Sequence, residues 1–195
     1  RTSPPTLPSS SPTSKPTQEA EHVRSCPPSA HCSPAHAFDP RASSYMLNAL
    51  TMMAAKDRGG TFGIGVDADG FVTESCVLNV CVVGKDGILR TPPFRNLLRG
   101  CTVRRVMELA KQHLVSTNGS AADKPLSAVV QERIPLADLY EANELFLVAG
   151  DTHIYSAVSL DGRMLGTGKP GAVMTRIKQL LEADAKEGEA DHEPL

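Results

Sequence analysis

Two Asp-Gly pairs, Asp69-Gly70 and Asp86-Gly87, punctuate short runs of Val, Ile and Leu, and no other feature narrows the fold as far. Asp-Gly readily takes the positive-φ geometry of a tight hairpin turn, so the stretch 63–105 reads as a β-meander. Strands are expected at 61–67, 71–75, 78–84 and 87–90. After Pro92-Pro93 the pattern changes period. Val103, Val106, Met107, Ala110 and Leu114 line one side of a helix at 103–115, with Arg104, Arg105, Glu108 and Lys111 opposite and Thr102 as its N-cap. Strands followed by an amphipathic helix point to an α+β fold.

The rest of the chain extends this pattern. A helix is expected from Ser44, carried by Met46, Leu47, Leu50, Met53 and Ala54 and ended by Gly59-Gly60. Beyond the polar loop 116–125 come a strand at 129–134, a short helix at 136–142, strands at 144–149 and 154–160, and a last helix at 172–186. Residues 1–40 hold nine of the fifteen prolines and twelve Ser or Thr. Such a stretch cannot bury enough apolar surface to offset its ordering entropy, so a disordered tail is expected. The expected organisation is therefore a tail at 1–40, a domain at 41–186, and a frayed acidic end at 187–195.

Composition excludes several classes. A formal net charge of −2 over 195 residues gives no reason to invoke nucleic acid or an anionic membrane, and no apolar run is long enough to span a bilayer. Five scattered cysteines fit free thiols better than a disulfide framework. Cys26, His31, Cys32 and His36 match no zinc spacing, and no metal site is expected. The first eighteen residues lack acids, as transit peptides do, but show no Arg-rich amphipathic stretch. The expected location is the cytoplasm, or a plastid or mitochondrion if that segment is an address.

Two places could carry chemistry. Glu74 stands among Val72, Val77 and Val80. It is either an edge-strand glutamate facing water or a buried carboxylate that needs a cation beside it. The Cys101-Thr102 step begins a helix, where free N–H groups and a partial positive charge attract anions; an ordinary N-cap is the other reading.

The order of motifs resembles one family. DADGFVTES with Asn79-Val80, then Thr91-Pro92-Pro93, then LLRGCT with Arg104-Arg105 and, further on, 157–181, is similar to the fold-type IV pyridoxal-phosphate enzymes: D-amino-acid transaminases, branched-chain aminotransferases and aminodeoxychorismate lyases. The plant-like D-amino-acid transaminase branch looks nearest. The likeness runs from about Arg41 to Leu181. It implies the C-terminal large domain of that fold, a mixed sheet closing toward a barrel with helices outside, and a homodimer. It also implies pyridoxal 5'-phosphate (PLP) as cofactor, with Glu74 at the ring nitrogen and Cys101, Thr102 and the step at Gly150 and Asp151 around the phosphate.

The sequence departs from the family pattern in two places. Where relatives carry Ser or Thr the chain has Gly150, and the Asp151 charge beside it would repel a phosphate. The family's anchoring lysine opens K-x-x-N-Y-L-x-N; here the stretch is Arg41-Ala42-Ser43-Ser44-Tyr45-Met46-Leu47-Asn48. A guanidinium stays protonated and is no nucleophile toward an aldehyde, so no catalytic residue is assigned. The expected function is class IV aminotransferase-like, exchanging an amino group between a D- or branched-chain amino acid and a 2-oxo acid, in a divergent or truncated copy. An inactive member kept for binding or dimerisation and a lyase are the alternatives.

Overall fold

The computed structural model describes residues 20–26, 46–95, 97–116 and 124–190. In chain order the elements are β1 (Ala20–Cys26), α1 (Met46–Asp57), β2 (Phe62–Val66), β3 (Val72–Ser75), β4 (Asn79–Val83), β5 (Ile88–Thr91), α2 (Cys101–His113), β6 (Ala128–Gln131), α3 (Leu136–Tyr140), β7 (Glu144–Val148), β8 (Ile154–Leu160), β9 (Arg163–Met164) and α4 (Ala172–Ala190). The strands join one mixed sheet in the order β3-β2-β1-β8-β7-β4-β5-β6, with β9 paired to β8. The sheet curls into a half-barrel, as expected for the α+β class.

Connection length explains the mixture of directions. β2–β3 and β4–β5 are antiparallel hairpins closed by the two Asp-Gly turns, and Gly70 and Gly87 both take positive φ there. The pairs β1/β2 and β5/β6 are parallel. A parallel pair needs a long crossover, and the intervening sequence holds α1 in one case and α2 in the other. The expected continuous meander therefore breaks between β3 and β4. β3 ends at one edge of the sheet, while β4 lies between β7 and β5.

The central strands are buried on both faces. Along β4, Val80 and Val82 face one core while Cys81 and Val83 face the other; along β7, Leu145 and Leu147 part from Phe146 and Val148 in the same way. One core is covered by α2 and α4 through Val103, Val106, Met107, Val173, Met174 and Ile177. The other gathers Val23, Ile64, Val72, Ile134 and Leu139 within the curl. Arg105 of α2 donates from Nε to Asp184 Oδ2 of α4 at 2.8 Å, tying the two covering helices together.

Four expectations change. Disorder over 1–40 does not hold for Ala20–Cys26, an interior strand parallel to both β2 and β8. Its buried positions are Glu21, Val23 and Ser25. Only Val23 is apolar, so no hydrophobic alternation marks the strand; the remainder of 1–40 lies outside the described residues. Helix α4 continues to Ala190, through residues expected to fray. The apolar spacing at Met46, Leu50 and Met53 of α1 does not mark a core face, because all three are exposed, while Ala55 is buried. Thr102 is not the N-cap of α2: the helix starts at Cys101 with Gly100 as cap, and Thr102 is buried within the first turn.

Candidate functional site

β3 is an edge strand, yet Glu74 does not face water. Its pleat alternates, and Val72 and Glu74 turn inward, leaving Glu74 only 8% exposed. The carboxylate Oε2 accepts the backbone N–H of Leu98 at 3.2 Å. Burial is the dominant influence on its ionisation and pushes the pKa up to about 7, against the smaller opposing effect of the Leu98 N–H. A carboxyl so placed favours a cationic neighbour.

Leu98 lies three residues before Cys101, so the contact places the acid against the backbone that enters α2. Gly100 N donates to Leu98 O at 2.9 Å in the same turn. Asn79, the first residue of β4, donates from Nδ2 to Leu98 O at 3.0 Å. It also pairs across the sheet with Val148, two residues before Gly150. The acid, the start of α2 and the end of β7 are thus linked at one end of the sheet.

The two helices over this face begin differently. The α4 N-terminus is filled by the protein itself: Glu144 accepts Val173 N at 2.9 Å and Met174 N at 2.8 Å. Gly171 permits this approach, since a Cβ there would overlap the Glu144 carboxylate. The α2 N-terminus has no side-chain cap hydrogen bond. Its first-turn amides and dipole therefore remain suited to an external anion. Cys101 is exposed, and its Sγ lies 3.9 Å from Thr102 Oγ1.

Gly150 and Asp151 form the turn between β7 and β8, followed by Thr152 at φ 68°. Asp151 accepts His153 N at 3.3 Å and pairs with His153 Nδ1 at 3.1 Å, both side chains exposed. Histidine at this turn escaped the sequence reading, and it gives the awkward aspartate a partner. Asn79 was visible only as part of a motif; its signal is a lone amide in the otherwise apolar run LNVCVV. Arg41 lies outside the described residues, as do His31, Cys32 and His36. Among the described residues, no cluster of three or more His, Cys, Asp or Glu could hold a metal ion, and no helix is long and apolar enough to cross a membrane.

The family description "Amino-transferase class IV" matches residues 2–160. The chain belongs to that family. The D-amino-acid transaminase, chloroplastic, of Arabidopsis thaliana is 32% identical over 151 residues, covering 76% of this chain and 38% of that protein. The branched-chain-amino-acid aminotransferase of Escherichia coli K12 is 32% identical over 138 residues, covering 70% and 40%. Among solved structures, the branched-chain aminotransferase of Thermobaculum terrenum in its PLP form superposes with a TM-score of 0.72 at 21% identity, over 87% of this chain and 52% of that one. This class IV chain spans about two fifths of the length of those curated relatives.

Proposed function

We propose that this chain is the PLP-binding part of a class IV aminotransferase-like protein that exchanges an amino group between an amino acid, D- or branched-chain, and a 2-oxo acid. One observation carries the reading. A buried carboxylate with no cation paired to it among the described residues and a helix start with no side-chain cap are joined through a single backbone turn. Their spacing in sequence and their opposite charge preference suit a pyridinium ring with a phosphate arm.

Each side chain then has a task. Glu74 keeps the ring nitrogen protonated by offering a carboxylate whose own ionisation is costly without that partner. The α2 amides at Cys101 and Thr102 bind the phosphate dianion, and the Thr102 hydroxyl adds a donor. Gly150 and Asp151 border the same end, where Asp151 is hydrogen-bonded to His153. When bound, PLP draws electron density from the substrate α-carbon and carries the amino group between the two substrates.

Arg41 favours a second reading. In the lysine position it can neither anchor the cofactor covalently nor move a proton at the α-carbon. On this reading the chain holds B6 phosphates without turning them over, as a binding or dimerising member of the family. The exposed Met46, Leu50 and Met53 on α1 suit a homodimer contact. The location we favour is the cytoplasm, or a plastid or mitochondrion if the N-terminal residues are an address.

Absorbance separates the two readings. Turnover by the chain requires a visible band with PLP that borohydride bleaches; the binding reading predicts no such band in the unaltered chain and its appearance in Arg41→Lys. A bleachable band in the unaltered chain, with a modified lysine located by mass spectrometry, would count for turnover and against the binding reading.

A further inference from the structure

Asn79 touches the turn that joins the two charged halves of the site without belonging to either. It is buried, at 7% exposure, in a position where an unpaired amide would be costly. Its Nδ2 holds Leu98 O. Its Oδ1 fills the space over Gly100, so that any Cβ at Gly100 would overlap it. The two contacts grip residues 98 and 100 from the sheet side. Between them, the Leu98 N–H points at Glu74, and Gly100 is the residue from which α2 departs. On its own strand Asn79 is fixed by pairing with Val148 of β7. The turn is thus held by a rigid interior strand, not by the loop that contains it.

We propose that Asn79 is a positioning residue that locks the Glu74 carboxylate and the α2 N-terminus into one unit, with the backbone of residues 98–100 as the link. What that unit would hold rests on the cofactor reading above; the coupling itself belongs to the ligand-free protein. When Glu74 ionises, its oxygen pulls harder on the Leu98 N–H. A turn clamped at residues 98 and 100 passes that change to the first amides of α2. Released from the clamp, the turn moves with Glu74 and leaves the helix start unaffected.

The test is a pH titration of the full 195-residue chain by NMR without ligand, following the Glu74 carboxyl carbon and the amides of Cys101 and Thr102. In the unaltered chain both amides are expected to shift with the Glu74 midpoint, and in Glu74→Gln they should not shift. In Asn79→Ala, loss of the ordered Leu98 donor should raise the Glu74 midpoint by about one pH unit, and the amide response should fall to a small fraction of its former size. Gly100→Ala should reproduce both effects from the opposite side, and Asn79→Ala/Gly100→Ala should be no worse than Asn79→Ala. Glu144→Ala, which uncaps α4 instead, should leave the Glu74 midpoint in place, separating coupling from lost stability. If Asn79→Ala does not fold, Asn79→Ser and Gly100→Ala carry the comparison. Amides that never follow Glu74, or that follow it equally well in the Asn79 and Gly100 variants, overturn the proposal. Pyridoxamine 5'-phosphate added afterwards tests the cofactor reading separately, since coupling with no binding refutes that reading alone.

Discussion

Glu74 carries the largest electrostatic penalty in the site, and its sign is testable. Its folded pKa of about 7 lies above the ordinary 4.5 because burial disfavours the anion. The folded protein therefore holds the proton more tightly than the unfolded chain across that window. The Glu74 contribution to stability is fully present below pH 4.5 and is lost as pH rises through about 7, by roughly 2–3 kcal/mol. Glu74→Gln should remove most of this slope, leaving the variant more stable than the parent at pH 8 and similar near pH 4.5 in urea titrations. A slope that survives the substitution would place its origin elsewhere. Cys81 shows the same effect on a thiol: burial within the covered core pushes it up to about 12, so it stays unreactive. At this scale much was legible. Glu74 could be picked out as an acid among valines, but whether it faced water depended on the pleat of an edge strand, which one sequence leaves open.

Helix starts are the elements on which the account turns. α4 depends on an internal carboxylate, so Glu144→Ala should strip two amides of their acceptor and lower stability by about 1–2 kcal/mol, read as a drop in the thermal midpoint. Gly171→Ala should do similar harm by displacing that carboxylate. α2 has no comparable cap, and Thr102→Val should cost little in stability while weakening any phosphate-bearing ligand. The two hairpins and α2 could be read from Asp-Gly turns and a change of hydrophobic period. β1 could not. Its place is fixed by hydrogen bonding to neighbours on both sides and by Asp161, which accepts Ser25 N at 2.9 Å, Ser25 Oγ at 2.5 Å and Tyr140 Oη at 2.6 Å. The β8 and Asp161 contacts come from residues more than a hundred positions away, and no local pattern announces them. α1 misled for the opposite reason: its spacing is apolar, but its exposed face has no partner among the described residues.

The whole molecule places α2 and α4 on one face of the half-barrel and brings β3, β4 and β7 together at the end where α2 begins. Exposed methionines and a leucine on α1 predict self-association: replacing Met46, Leu50 and Met53 with Gln should lower the mass seen by light scattering without lowering the thermal midpoint. An unchanged mass would assign that face another role. The most direct measurement of the central claim is calorimetric titration of the chain with pyridoxamine 5'-phosphate, which needs no lysine. Binding is expected, weakened about tenfold or more by Glu74→Gln and to a similar degree when the ligand lacks its phosphate. No binding, or binding indifferent to both changes, would contradict it.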